Sequence, residues 1–408
     1  MPFIPAGWKI HRLDELGFVG RGRSRHRPRN DPSLYGGSYP FVQTADIKAA
    51  NLRLREFTQT YNETGLAQSK MWAPGTLCIT IAANIAETAI LAISTCFPDS
   101  VIGFISDPEK ADAIFIKYYI DFIKLRMQQV SHGTTQDNLS LDKLLRFDFV
   151  VPEAPLQHKI AAILSAYDDL IENNVHRIKI LEEMAQTLYR EWFVKFRFPG
   201  HQKVKMVDSP LGKIPEGWKV STLGNESKNF DRMRKPLSKM EREKRPGPYP
   251  YYGAAKVFDH IDDFIFNGIY LLIAEDGSVV TPDRKPVLQY VNGKFWANNH
   301  THVLQGKEPI STEFLHLVLS QLDISGYITG AAQPKITQEN LNRIPVLVPS
   351  SDLLTNFNEI VELIYRSIVL TEEKNKVLRQ TRDLLLPKLI SSELDVSELD
   401  IKTANERS

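Results

Sequence analysis

At 408 residues the chain is too long for one ordinary core, so two or three domains are expected. With 42% hydrophobic and 24% charged residues it has a globular composition, and no apolar run approaches the roughly 20 residues of a membrane span. A formal net charge of +1 excludes a globally basic polyanion binder, and two cysteines, Cys78 and Cys96, exclude a disulfide framework or a multi-cysteine metal site.

Both thiols stand among apolar residues and are expected to be buried and free. Met1-Pro2-Phe3-Ile4-Pro5 lacks the apolar core of a signal peptide, and a cytoplasmic protein is expected.

The chain opens on Ile4-Pro5-Ala6-Gly7-Trp8-Lys9. Arg21, Arg23, Arg25, Arg27 and Arg29 follow within nine residues, with Pro28 and Pro32 and no apolar period, so a loop is predicted. Such a run is either a solvated loop or a surface for phosphates and base edges. The absence of any acid among the arginines favours the second. Strands are predicted over 39–44, 76–83, 90–96 and 101–105, and a helix over 112–130 with Ile116, Tyr119, Ile120, Ile123 and Leu125 on its apolar side. Short strands beside a helix make an α+β module. Asn84 is a turn residue or a base contact. Gln136, in Gly133-Thr134-Thr135-Gln136, caps a turn or reads adenine.

A short strand ending in Val151-Pro152 leads into the most regular stretch of the chain. Ile160, Leu164, Tyr167, Ile171, Asn174, Ile178, Leu181, Ala185, Leu188 and Trp192 alternate steps of four and three. That is a heptad seam, which calls for a partner helix. Pro155 suits its first turn and Phe198-Pro199-Gly200 its end. Acidic residues gather on this helix, among them Asp168, Asp169, Glu172, Glu182 and Glu183.

The same order then returns. Ile214-Pro215-Glu216-Gly217-Trp218-Lys219 repeats the opening hexapeptide, Gly330-Ala331-Ala332-Gln333 the turn, and Val348-Pro349 the strand end. A period of about 200 residues indicates a duplicated module plus helix. The second module carries its own basic segment, Arg232, Arg234, Lys235, Lys239, Arg242, Lys244 and Arg245, interrupted by Asp231, Glu241 and Glu243. Pro236, Pro246, Pro248 and Pro250 predict a loop there, and DNA contact and a solvated face stay equally open. Gln333 and Lys335 are further candidate contacts. Strands are predicted over 269–274, 287–291 and 295–305, and a helix over 312–321.

The second seam is Phe357, Val361, Ile364, Ile368, Thr371, Asn375, Leu378, Arg382, Leu385 and Leu389, with Ser351-Asp352 as N-cap and Pro387 kinking or ending the helix. The two helices are predicted to pair with each other. Asn174 and Asn375 on the seams can fix register. Arg382 marks a parting of the helices, a packing partner, or a local rotation. Each helix spans ~35 residues, about 50 Å, or ~15 base pairs of DNA. A polar, acidic tail follows from Ser391.

Catalytic signatures are missing: no GxxxxGK[ST], GxGxxG, NPPY, DPPY, HExxH or paired CxxC occurs. His300 and His302 form an HxH pair, read as two outward polar residues of a strand rather than metal ligands. Glu275-Asp276 after an apolar strand is read as a turn with Gly277 rather than a catalytic pair.

The order of motifs resembles the DNA-specificity (S) subunit of type I restriction-modification enzymes. Pro74-Gly75-Thr76-Leu77, Phe97-Pro98-Asp99-Ser100-Val101-Ile102-Gly103-Phe104, Gln157-His158-Lys159-Ile160-Ala161-Ala162-Ile163-Leu164, Asp168-Asp169-Leu170-Ile171-Glu172-Asn173-Asn174 and Leu384-Leu385-Leu386-Pro387-Lys388-Leu389-Ile390 carry it, over nearly the whole chain. Ala86 and Ser392 stand where that family more usually has glycine.

The resemblance implies two α+β target-recognition domains, 1–150 and 199–348, separated by a central helix, 151–198, and a distal helix, 349–395, before a tail, 396–408. The helices would pair antiparallel, in a pseudo-twofold repeat, as a ruler between two halves of an asymmetric double-stranded DNA site. The chain would be non-catalytic and hold no cofactor. Two modification subunits would use S-adenosylmethionine, and restriction subunits ATP and Mg²⁺. The rivals are a single-chain nuclease or methyltransferase with a disguised site, a coiled-coil scaffold without nucleic acid, and an RNA-binding role.

Overall fold

The computed structural model describes residues 4–131, 139–330 and 333–401. Gln136 and Ala331-Ala332 lie outside the described residues. The chain is mixed α and β and divides into two compact units, Met1–Val175 with Lys374–Ser408, and His176–Glu373. Among the described residues no helix is long and apolar enough to cross a membrane.

In the first unit, Gly17–Arg21, Val101–Ser106, Leu77–Thr80, Thr88–Leu91 and Arg53–Leu54 form a five-stranded sheet in that order. Gln59–Tyr61, Tyr35–Phe41, Thr95–Cys96 and Met71–Trp72 form a second sheet. The helix Ala113–Ser131 packs on the first sheet through Phe115, Ile116, Ile120 and Met127, all fully buried. Leu125, expected on this face, is 75% exposed. The buried stripe steps from 116 through 120 to 127, and Leu125 lies off it. Cys78 and Cys96 are buried and free.

In the second unit the sheet order is Ser227–Asn229, Thr301–Gly306, Phe266–Ala274, Leu288–Ala297, Pro246–Tyr252 and Val257–Ile261. Two expectations are corrected here. The expected loop holds around Pro236 but gives way to a short helix, Lys239–Glu243, and Pro246, Pro248 and Pro250 stand in a strand, Pro246–Tyr252. Pro246 and Pro248 fall at the bulge in its pairing with Val257–Ile261, and only Tyr251 and Tyr252 join the next strand, so all three prolines lie outside the part of the strand that is paired on both sides. The stretch 295–305 is two strands, Leu288–Ala297 and Thr301–Gly306, separated by a turn. The helix Thr312–Gln321 covers the sheet, capped by Ser311, which accepts from the Phe314 amide at 3.1 Å.

The sequence repeat has a structural counterpart. Lys9–His11 pairs antiparallel with Phe149–Val151, Lys9 opposite Val151. Lys219–Thr222 pairs antiparallel with Pro345–Val348, Lys219 opposite Val348. Each module therefore begins and ends on one two-stranded ribbon.

The central helix runs Ala154–Tyr189 and the distal helix Ser351–Ile390, with Pro387 in its last turn. Ile160, Leu164 and Ile171 are buried. Within the first unit, Asn174 Nδ2 donates to Asn375 Oδ1 at 2.8 Å. One to two turns away, Arg382 donates to Asp168. The pairing 168 with 382 and 174 with 375 is antiparallel, and Leu378 and Leu385 are half-buried beside it.

Arg382 thus marks neither a parting of the helices nor an external partner: it answers Asp168. The seam residue there is Asp168, 1% exposed, not Tyr167. Spacings 164, 168, 171 satisfy the helical period as well as 164, 167, 171. The Tyr118 hydroxyl also donates to Asp168, tying the module's helix to both long helices.

In the second unit Ile178, Leu181 and Leu188 pack with Val361, Ile364 and Ile368 in one apolar cluster. Phe193 lies edge-on to Phe314 and Phe357 with centroids at 5.1 and 4.7 Å. Ala86 and Ser392 have φ of 59° and 60°, the left-handed region. Both are positions where glycine would sit without strain.

Candidate nucleic-acid interface

The arginine segment starts as a strand and ends as a loop threaded past a hairpin. Gly22 N–H donates to the Val101 carbonyl at 2.8 Å and Arg23 N–H to the Phe97 carbonyl at 3.0 Å. A Cβ on Gly22 would lie 2.2 Å from the Pro98 carbonyl oxygen, so only glycine fits. The Gln68 side-chain oxygen accepts from the amides of Arg25 and His26 at 2.6 and 3.0 Å.

The acid missing from the segment comes from Asp99. Arg29 Nη2 donates to both of its carboxylate oxygens at 2.6 and 2.8 Å, Arg27 approaches it at 3.8 Å, and Arg21 donates to its backbone carbonyl. Arg23 Nε donates to the Ser69 carbonyl at 2.8 Å, and Arg27 caps the Ser24 and His26 carbonyls at 2.7 and 2.8 Å. The Arg25 guanidinium alone of the five has no partner among the described residues, and it is exposed. Most of these arginines hold the loop, and their charge is partly offset before any phosphate arrives.

A cleft of about 360 Å³ opens beside the loop, lined by Ser24, Arg29, Tyr35, Phe41, Gln43 and Gln59 among others. Asn84 sits at the tip of the hairpin after Leu77–Thr80, half-buried, with Oδ1 3.3 Å from Lys48 Nζ.

In the second module the basic residues divide. Arg232, Lys235 and Lys244 are exposed, with no side-chain partner among the described residues. Lys239 is 3.7 Å from Glu243. Arg242 bonds Asp259 at 3.2 Å and Arg245 bonds Asp262 at 2.8 Å. Arg234 is buried. It donates to Glu275 and the Thr301 carbonyl, each at 2.7 Å, and to the Asp231 carbonyl at 2.9 Å. Gln333 is exposed, and Lys335 reaches Glu275 at 3.1 Å.

His302 is not an outward residue. It is 1% exposed, with Nδ1 2.6 Å from Asp231 and Nε2 2.9 Å from the Ile336 carbonyl. His300 faces out onto Asp276 at 2.7 Å. Asp231, Glu275 and His302 bring ligand atoms within 4.8 Å of one another, a metal-like triad. Arg234 and Lys335 already neutralise its carboxylates, so the cluster pins the strand Thr301–Gly306 rather than awaiting a cation. Burial works to raise the Asp231 carboxyl. The His302 bond and charge, the Val303 amide and Arg234 outweigh it and hold the group below its usual value.

Sequence reasoning missed Asp99 and Asp168, which no spacing rule links to their arginines. It also missed the Gln43–Gln59 amide pair, joined at 2.5 Å from two separate strands and loops.

A family model described as type I restriction modification DNA specificity domain matches residues 5–183 and 215–380. The chain is 24% identical to the type I restriction enzyme MjaIX specificity subunit of Methanocaldococcus jannaschii, over 97% of this chain and 95% of that one. It is 34% identical to a putative type I restriction enzyme specificity subunit, S.HindORF215P, of Haemophilus influenzae, over 40% and 41% of the two chains. Among solved structures it resembles a type I restriction-modification system S subunit from M. genitalium, with a TM-score of 0.59 at 18% identity over 95% and 96% of the chains.

Proposed function

Because the chain belongs to the type I restriction-modification DNA specificity family, we propose that it selects a split DNA site, one half by each module. The duplicated frame carries this reading: two ribbons in equivalent positions hold modules of different sheet order and different polar surface. The antiparallel helices would fix the gap between the half-sites. Arg25 and Arg232, Lys235 and Lys239 would contact phosphate, with Arg21, Arg23, Arg27, Arg29, Arg234 and Lys335 shaping the surfaces around them. Asn84, Gln136 and Gln333 are proposed base or turn contacts.

The long helices would also dock partners. In the second unit Ile180, Met184 and Ile360 are 43%, 52% and 42% exposed beside Trp192 and Ile364, in a largely apolar groove of about 700 Å³. Helices of modification subunits suit such a groove. The chain would supply no catalytic group in a cytoplasmic complex. Modification subunits would bind S-adenosylmethionine, and restriction subunits ATP and Mg²⁺.

The test is to reconstitute the chain with its cognate modification subunits and map methylated adenines across a genome. A bipartite motif with a fixed gap is expected, and exchange of residues 1–150 should replace one half only. A continuous motif would refute the two-module reading.

A further inference from the structure

The cleft beside the arginine loop has a chemistry that its neighbours do not use. Ser24 is a lining residue only 4% exposed, and its buried hydroxyl has no hydrogen-bond partner. Tyr35, half-buried, supplies aromatic surface, with Phe41, 4% exposed and stacked on Tyr61, behind the wall. Arg29 is the charged lining residue, and its guanidinium is spent on Asp99. A phosphate entering here would meet a cation already neutralised by a carboxylate, so the cleft suits a neutral, planar, hydrogen-bonding group. A nucleobase is that group.

The Gln43 and Gln59 side chains sharpen the choice. Gln43 Nε2 donates to Gln59 Oε1 at 2.5 Å. One bond between two amides leaves one carbonyl oxygen and one NH₂ free, whichever way the amides are turned. A joined pair therefore presents an acceptor beside a donor. Adenine's major-groove edge offers the complement, N7 as acceptor and N6–H as donor. Guanine offers two acceptors there, and cytosine a donor.

We infer that this cleft selects one base of the half-site read by the first module, and that the Gln43–Gln59 pair selects an adenine. The inference rests on the DNA-reading function proposed above.

Two variants test it in the complex reconstituted with modification subunits. Gln43→Ala with Gln59→Ala removes both amides, since either one left alone would still offer a donor beside an acceptor, and should lower selectivity at one adenine of the first half-site by roughly fivefold to a hundredfold. Gln59→Glu leaves two acceptors and should move the preference at that position toward cytosine. Replacing the adenine by 7-deazaadenine removes the N7 acceptor and should weaken wild-type binding while leaving the double alanine variant unaffected. The second half-site and the gap stay unchanged in every case. Unaltered motifs in both variants would overturn the inference while the wild-type bipartite motif stood. A wild-type complex with no bipartite motif would instead overturn the DNA-reading function.

Discussion

Replacing Arg382 by alanine should be among the most damaging single changes on the long helices. Asp168 is 1% exposed and its carboxylate takes bonds from Arg382 and Tyr118. Removing one partner of a buried ion pair costs about 3–5 kcal/mol, because the remaining charge is left dry. The retained Tyr118 bond places Arg382→Ala near the lower end, about 3 kcal/mol. At about 2–4 °C per kcal/mol for a unit of this size, the melting transition should fall by roughly 6–12 °C. Differential scanning calorimetry of the full chain measures it.

A second construction separates pairing from packing. Arg382→Met with Asp168→Leu and Tyr118→Phe removes the buried polar members together, leaving only Asp383, which is exposed, and should recover most of the loss, since apolar groups of similar volume often replace buried pairs without cost. Molar salt should not reproduce the effect, because a buried pair is poorly screened. A single variant melting within about 1 °C of the parent, or a triple variant as unstable as the single, would refute the assignment.

Asn174→Ala leaves the buried Asn375 amide unpaired and should cost about 1–3 kcal/mol in denaturant titration. Asn174→Leu with Asn375→Leu should regain stability but loosen register, seen as a wider spread of gap lengths in the mapped sites. His316 is half-buried against Tyr365, and loss of solvation there holds its imidazole down at about 4 against 6.5 unfolded. The folded state stays neutral while the unfolded chain takes up a proton, so this stability is complete above pH 6.5. It is lost as pH falls toward 4, to about 3 kcal/mol, and the His316→Phe chain should lack this slope in pH-dependent melts. Arg25→Ala should lower the salt slope of DNA binding by about 1 without changing the motif, whereas Arg234→Ala should destabilise the fold. Ala86→Gly relieves a left-handed alanine and should stabilise by about 0.5–1 kcal/mol, because strain of about 1–2 exceeds glycine's extra freedom when unfolded. A melting temperature that falls instead would contradict that balance.

The architecture was legible where periodicity was long. Ten seam positions in each helix and the paired hexapeptides expose the duplication before any coordinates. Asp168 was misplaced because an acid at helical spacing looks like surface until its cation is known, and Arg382 lies 214 residues away. The strand Pro246–Tyr252 is hidden in the sequence because proline argues locally against a ladder, while a bulged pairing tolerates it. His302 was read outward because alternation along a strand gives two faces but not which one is dry. For the candidate site, the arginine segment stood out by composition alone. What its arginines do depends on Asp99 and Ser69, brought there by tertiary contacts.

The two-stranded ribbons have a genetic corollary. Paired backbones keep facing Cα atoms about 4.5–5.5 Å apart, so Lys9 and Val151, or Lys219 and Val348, are stitched neighbours. All that lies between them hangs from a closed staple. Crossovers in the DNA encoding these short ribbons would exchange a whole cassette while both ends of the staple, and the helix that follows, remain in frame. New specificities would then arise by shuffling intact cassettes between alleles, with the accumulation of point changes a secondary route.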